Sequence, residues 1–205
     1  MKILVVAAMS NELKAIKEWI KSADLKENLN IDYLCCGIWN YETISSLERY
    51  LTENNEPTFI WNIWICGYWN PNNERKSDPI QVASAINIHT EKEMVIPPFL
   101  QIAPLKTCFS SENVILEKPE FKKEIWMIDD EIYFDMESRW IEFIASKWKY
   151  PRLILKVPFD FIGNETKKIV DKSEFEQNLR KVSQLLNGLP YNYYLEKILL
   201  RINWK

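Results

Sequence analysis

Tyr133-Phe134-Asp135-Met136-Glu137-Ser138 joins a strand to a helix, and the fold class follows from that junction. Its apolar first half reads as a strand and its centre is acidic. From Ser138 onward Trp140, Ile141, Ile144 and Trp148 recur at helical spacing. A strand that runs into an amphipathic helix is the repeating unit of an α/β protein. A second run, Lys156-Val157-Pro158-Phe159-Asp160, has the same form: it follows apolar Leu153-Ile154-Leu155 and ends on a carboxylate. Glu12 follows the first apolar run in the same way. Open α/β sheets place their ligand chemistry beyond strand ends. Three acids placed alike on three strand ends therefore predict one shared pocket.

Outward from these runs the alternation continues. Residues 2–8 form a continuous apolar run, as expected of a strand covered on both faces. Lys2 and the apolar stretch to Met9 have the outline of a minimal signal peptide. The run is at the lower length limit, and Ser10-Asn11-Glu12 opens a helix, so it reads as a buried first strand. Ser10 or Asn11 caps that helix, whose inner face carries Leu13, Ile16 and Ile20. Ile31 to Cys36 is the second strand, ending at Gly37, and Tyr41 to Leu51 is helical. Pro57 precedes a third strand, Phe59 to Cys66, ending at Gly67. Gln81 to Ile88 and Leu105 to Phe109 are strands around a loop bearing Pro97-Pro98. Ser173 caps a closing helix with Phe175, Leu179, Val182 and Leu186 apolar, ending near Gly188. The tail Tyr191 to Lys205 is apolar enough to pack as a helix or to join an interface.

The 205 residues, 47% of them hydrophobic, fit one domain over 1–205 that buries roughly 70% of its unfolded surface. A net charge of -3 without a basic stretch argues against a nucleic-acid partner. No run reaches ~18 apolar residues, so no membrane span is expected. The cysteines, Cys35, Cys36, Cys66 and Cys108, form no C-x-x-C pair, and His89 is the only histidine. That argues against a Cys/His zinc site, and leaves only His89 for a Ser-His-Asp triad. Free thiols point to a reducing, cytoplasmic setting. No G-x-G-x-x-G follows the first strand and no P-loop motif occurs. No metal and no cofactor is expected. Lys122-Lys123-Glu124 and Asp129-Asp130-Glu131 read as solvated loop.

In their order along the chain these residues resemble the purine nucleoside phosphorylase / methylthioadenosine (S-adenosylhomocysteine) nucleosidase superfamily. Met1-Lys2-Ile3 to Ala8-Met9-Ser10-Asn11-Glu12 is similar to the start of the nucleosidases. Cys36-Gly37-Ile38-Trp39-Asn40 and Pro57 to Trp69 stand where that family has glycine-bearing turns. Ser110-Ser111-Glu112-Asn113-Val114 resembles the segment beside the base, Met136-Glu137 the motif that holds the sugar, and Phe159-Asp160 the Ser-Asp that protonates the base. The resemblance implies a single-domain three-layer α/β/α fold with a central mixed sheet. It also implies a small-molecule nucleoside substrate and a homodimer or higher homo-oligomer. The departures are specific. Trp64-Ile65-Cys66-Gly67-Tyr68-Trp69 puts bulky side chains where backbone approaches phosphate or water. Phe159 replaces the serine, Gly163 stands where a second aspartate is usual, and the phosphate-binding arginine is missing.

Cleaving an N-glycosidic bond builds positive charge on the sugar. The base must be protonated, the nucleophile activated and the hydroxyls held. The resemblance assigns Asp160 as the acid, with Phe159 and Phe161 as apolar neighbours that raise its proton affinity. It assigns Glu12 as the base that activates water, kept ionised by its place in a first helical turn. Glu137 is the sugar clamp, with Met136 against the ribose. Phe109, Val114, Ile115 and Phe159 are expected to line the base, with Cys66 and Gly67 at the end of the third strand. The activity implied is hydrolysis of a purine-type, methylthioadenosine-like nucleoside. A phosphorylase with an altered phosphate site and an inactive nucleoside-binding protein are the alternatives.

Overall fold

The computed structural model describes residues 2–22, 30–37, 40–54, 56, 58–72, 74, 76–117, 131–163, 165–167 and 175–203. Its centre is β3 (Thr58–Trp69), a twelve-residue strand whose first seven residues are all buried. The apolar run of β1 (Lys2–Ala7) pairs parallel to it, and β2 (Ile31–Cys35) pairs parallel to β1 on the outside. On its other edge β3 pairs parallel with β8 (Arg152–Phe161). β4 (Ile80–Asn87), β5 (Glu93–Val95), β6 (Leu105–Ser110) and β7 (Ile132–Asp135) complete one eight-stranded mixed sheet. The tip of β3 pairs antiparallel with β7, β7 with β6, β6 with β4, and β4 with β8. Because β8 returns to β3, this pairing path closes on itself.

Helices cover the sheet on both sides, so the expected three-layer α/β/α arrangement is what forms. Alternate residues of the central strands serve the two cores. Ile3, Val5, Phe59, Trp61, Ile63, Leu153 and Leu155 pack beneath α1 (Ser10–Ser22), α4 (Phe175–Asn187) and α5 (Tyr191–Asn203). Leu4, Val6, Ile60 and Ile154 pack on the other side, beneath α2 (Asn40–Glu53) and α3 (Ser138–Trp148). None of the described helices is long and apolar enough to cross a membrane.

Two strands run further than their apolar pattern predicts. β3 continues through Gly67 to Trp69, and β8 through Asp160 to Phe161. Past Cys66 both are held by ladder bonds rather than by alternation. Gly67 lies opposite Phe134 and Asp160, and Tyr68 opposite Tyr133 and Phe161. The register slips there: Pro158 opposes Cys66 while Asp160 opposes Gly67, leaving Phe159 as the extra residue of a bulge. Trp64 and Tyr68, the bulky residues of the altered turn, are buried in opposite cores. The short edge strand β5 carries no period-2 signal in the sequence. Ser173 and the charged cluster at 122–124 lie outside the described residues, as does Asp129-Asp130 of the second cluster.

The tail is a helix of the protein's own core. Tyr191, Tyr194, Leu195 and Ile198 are buried, with the Tyr191 ring edge-on to Trp61 at 6.4 Å. Leu195→Ala is therefore expected to cost about 2–5 kcal/mol, the range for emptying a packed leucine site. Denaturant unfolding checks it. A cost below about 1 kcal/mol would mean that α5 docks loosely.

Candidate active site

The end of β7, the start of α3 and the first turn of α1 bring their carboxyls toward one buried lysine. Lys156, in the middle of β8, is fully buried. Its Nζ lies 2.8 Å from Asp135 Oδ2 and 3.1 Å from Glu137 Oε2. Burial alone would lower the proton affinity of its ammonium, but Asp135 and Glu137 outweigh that and raise it above the ordinary lysine value. Lys156 is a fixed cation.

The sequence at the β7–α3 junction explains how both carboxylates reach it. Asp135, the last residue of β7, does the capping: its Oδ2 accepts the Ser138 N–H at 2.8 Å and also the Ser138 hydroxyl. Its Oδ1 accepts the Ser110 hydroxyl at 2.8 Å. Glu137 stands at the N-cap position but makes no side-chain cap, so its carboxylate is available to Lys156. Burial pushes the Asp135 carboxyl up. The Lys156 ammonium and the hydroxyls of Ser138 and Ser110 outweigh it and hold Asp135 below the usual range. Glu137 lies above its usual range, because burial and the neighbouring Asp135 outweigh Lys156. The partners are also held together from behind. Arg152 at the start of β8 donates through Nε to Glu142 of α3 at 2.6 Å, fixing helix against strand.

Glu12 joins from the far side of the sheet end. Its Oε2 accepts the Met9 N–H at 2.8 Å, while the equally buried Oε1 has no partner among the described residues. An orphaned buried oxygen in a folded protein requires a reason. Here it leaves a hydrogen-bonding atom unused among the described residues. Glu12 feels both Glu137 and Lys156. Burial, only partly offset by the Met9 N–H, pushes its carboxyl up to about 9. This corrects the expectation that the helix start keeps Glu12 ionised: desolvation outweighs the dipole, and the carboxyl is a proton holder at neutral pH.

Asp160 stands on the β8 side of the same group, with Oδ2 2.6 Å from the Thr166 hydroxyl. Cys66 lies between the parts and feels Lys156, Asp135, Asp160 and Glu137, while its full burial pushes the thiol well above the ordinary value. A thiol in that state packs and does not attack. Gly67 gives Ile162 its room: a Cβ there would stand 2.7 Å from Ile162 Cδ1, while Asp160 Oδ2 would lie at an ordinary contact distance of 3.6 Å.

The structure thus brings Glu12, Glu137, Asp160, Cys66 and Gly67 together, with half-buried Met136 at the same junction. Phe109 belongs to a small apolar cluster with Phe134, bordered by Trp69, Ile115 and Ile162. Ile162 in turn touches the Gly67–Asp160 wall. Val114 is 39% exposed, and Phe159 packs at the margin of the core under α1, α4 and α5. His89 is an exposed turn residue whose N–H donates to Asn87. Lys156 and Asp135 stand in the two acidic runs of the sequence without an expected role. The available signal was a lone lysine between Leu155 and Val157 in a strand predicted to be buried, which requires a buried anion. Thr166 carried no signal, because its role depends on how the chain turns back after β8.

No family model matches the chain, and no curated protein does. Solved structures do. The MTAN of Chlamydia trachomatis is 19% identical with a TM-score of 0.63, covering 96% of this chain and 98% of that one. A futalosine hydrolase mutant of Helicobacter pylori is 12% identical, TM-score 0.67, covering 91% and 96%. The Streptococcus pneumoniae MTA/SAH nucleosidase, in complex with 8-aminoadenine, is 15% identical, TM-score 0.64, covering 92% and 100%. These likenesses run over nearly the whole length of each chain at low identity, and what they establish is architecture: the chain is a divergent example of the nucleoside phosphorylase-like fold seen in these nucleosidases.

Proposed function

We propose that the protein hydrolyses the N-glycosidic bond of a purine-type, methylthioadenosine-like nucleoside. The observation that carries this reading is the pairing of Glu137 with Lys156, with Glu12 near enough to feel both and Asp160 sharing Cys66 as a neighbour with Glu137 and Lys156, and with one Glu12 oxygen buried and unpartnered among the described residues. In this reading Asp160 gives its proton to the leaving base as the bond from the anomeric carbon to the base nitrogen breaks. Glu137 holds the sugar hydroxyls. Water attacks the anomeric carbon and passes a proton to Glu12. The cation that develops on the sugar lowers the cost of an ionised Glu12 at that moment, because opposite charges nearby favour the charged form. The nucleosidases of this fold lend support, one of them having been seen with MTA bound.

Charge favours water over phosphate. Lys156, the fully buried cation among the described residues, is already within 3.1 Å of two carboxylates, and Glu12 adds a third acid. A phosphate dianion entering there would meet an ammonium already offset by two carboxylates, beside a Glu12 that is neutral at pH 7. Base release from 5′-methylthioadenosine and adenosine, measured with and without phosphate, tests the reading. Release without phosphate is expected, with Asp160→Asn and Glu12→Gln each lowering kcat by roughly 10²–10⁴-fold. The rate is expected to climb as pH rises from 7 toward 9, as Glu12 ionises. Strict phosphate dependence would indicate a phosphorylase, and tight binding without turnover a nucleoside-binding protein.

The Glu12 proton has a second, activity-independent consequence. Its folded-state value, about 9, lies above its ordinary 4.5. Between those values the folded chain keeps a proton that the unfolded chain has released, so stability falls as pH rises from 4.5 to 9. Glu12→Gln removes that loss. Its Tm is expected to exceed wild type by roughly 2–6 °C at about pH 9 and to match it near pH 5. A thermal scan in which Glu12→Gln is the less stable protein at the alkaline end would show Glu12 to be ionised in the fold.

A further inference from the structure

Asp160 is held by a turn that the sequence pattern does not foreshadow. After β8 the chain reverses at Gly163, whose φ of +119° lies in the region that favours glycine. The turn is tied at each step. The Ile162 N–H donates to Tyr68 O at 3.0 Å, the Phe161 N–H to Glu165 Oε2 at 3.0 Å, and the Lys167 N–H to Gly163 O at 3.0 Å. This delivers Thr166, buried at 5% exposure, back onto Asp160. Its hydroxyl lies 2.6 Å from Asp160 Oδ2 and 3.2 Å from Phe161 O.

We propose that Thr166 is a positioning residue that decides which oxygen of Asp160 carries the transferable proton. The inference rests on the reading of Asp160 as the acid of an N-glycosidase. A hydroxyl has one proton to donate. The shorter contact directs it to Oδ2, which leaves the acid's own proton to Oδ1. When Asp160 gives that proton to the base, the bond from Thr166 becomes charge-assisted and strengthens. Thr166 therefore stabilises the state that follows proton transfer more than the state before it, which is what accelerates a step. The hydroxyl comes from six residues downstream, while Phe159 beside Asp160 carries none. The bulge at Phe159 and the reversal at Gly163 are what bring it there.

The test compares two leaving groups. An adenine nucleoside needs a proton on its departing base; 4-nitrophenyl riboside departs as a stable phenolate and needs none. Thr166→Val keeps the shape and removes the hydroxyl. It is expected to lower kcat on the nucleoside by roughly 10–100-fold, with KM moved by less than about threefold, and to lower 4-nitrophenyl riboside cleavage by less than about threefold. Thr166→Ser is expected to restore nucleoside cleavage to within about threefold of wild type. An equal loss on both substrates, or an undiminished rate on the nucleoside, overturns the role of Thr166 and leaves the nucleosidase reading standing. A wild-type protein that cleaves neither substrate overturns the nucleosidase reading itself, and this inference with it.

Discussion

The pairing of Lys156 with Asp135 and Glu137 is the constraint on which the rest of the site depends. A fully buried ammonium is tolerable only when anions meet it at hydrogen-bond distance, and removing one partner of such a pair typically costs about 3–5 kcal/mol. Here the anions come from the β7–α3 junction and the cation from β8, so the pair fixes two parts of the sheet that are not adjacent ladders. β7 and β8 both pair with β3, and the three charged groups meet across its tip. Asp135 is at once the anion for Lys156 and the cap of α3, which couples the start of that helix to the charge cluster.

The same cluster dictates the state of Glu12. Three carboxyls around one ammonium leave an excess of negative charge where burial removes the screening of water. The cheapest relief is to keep a proton on a carboxyl without a cationic contact of its own. Glu12, held by one backbone N–H, fits that description, whereas Asp135 has an ammonium and two hydroxyls. A carboxyl held this way is seldom ionised at neutral pH, and when ionised it has a higher proton affinity than an exposed glutamate.

Most of the architecture was legible because it rests on pattern. The apolar runs at β1 and the core of β3, and the helical spacing after Ser138, set the type and order of the elements. Legibility ends where a strand is held by partners instead of alternation. Neither the tip of β3 beyond Cys66 nor β5 has a sequence signature. At the site, the ends of the runs located Glu12, Glu137 and Asp160, and the structure places them around one cluster. Their electrostatic states were not legible. The helix dipole that favours an ionised Glu12 is local to its turn, whereas the burial that outweighs it is a property of the assembled fold. Lys156 shows the converse: a charge inside an apolar run was visible, but its partners, Glu137 and Asp135, lie well upstream in the chain and across another strand.

The departures from the resembling family acquire a physical account when taken together. Phe159 in place of a serine and Gly163 in place of an aspartate read separately as losses. In the fold Phe159 is the extra residue of a bulge. That bulge lets Asp160 face Gly67 while the Phe161 ring lies 4.4 Å from that of Tyr68 in the core beneath α2 and α3. Tyr68 in turn accepts the Lys76 N–H at 3.1 Å, so its bulk is anchored at the strand tip and away from Asp160. Gly163 then supplies the one backbone conformation that turns the chain back. Each substitution is needed by the next. Phe159, Asp160, Gly163 and Thr166 thus form one local arrangement, in which the bulge, the carboxyl and the turn are tied together.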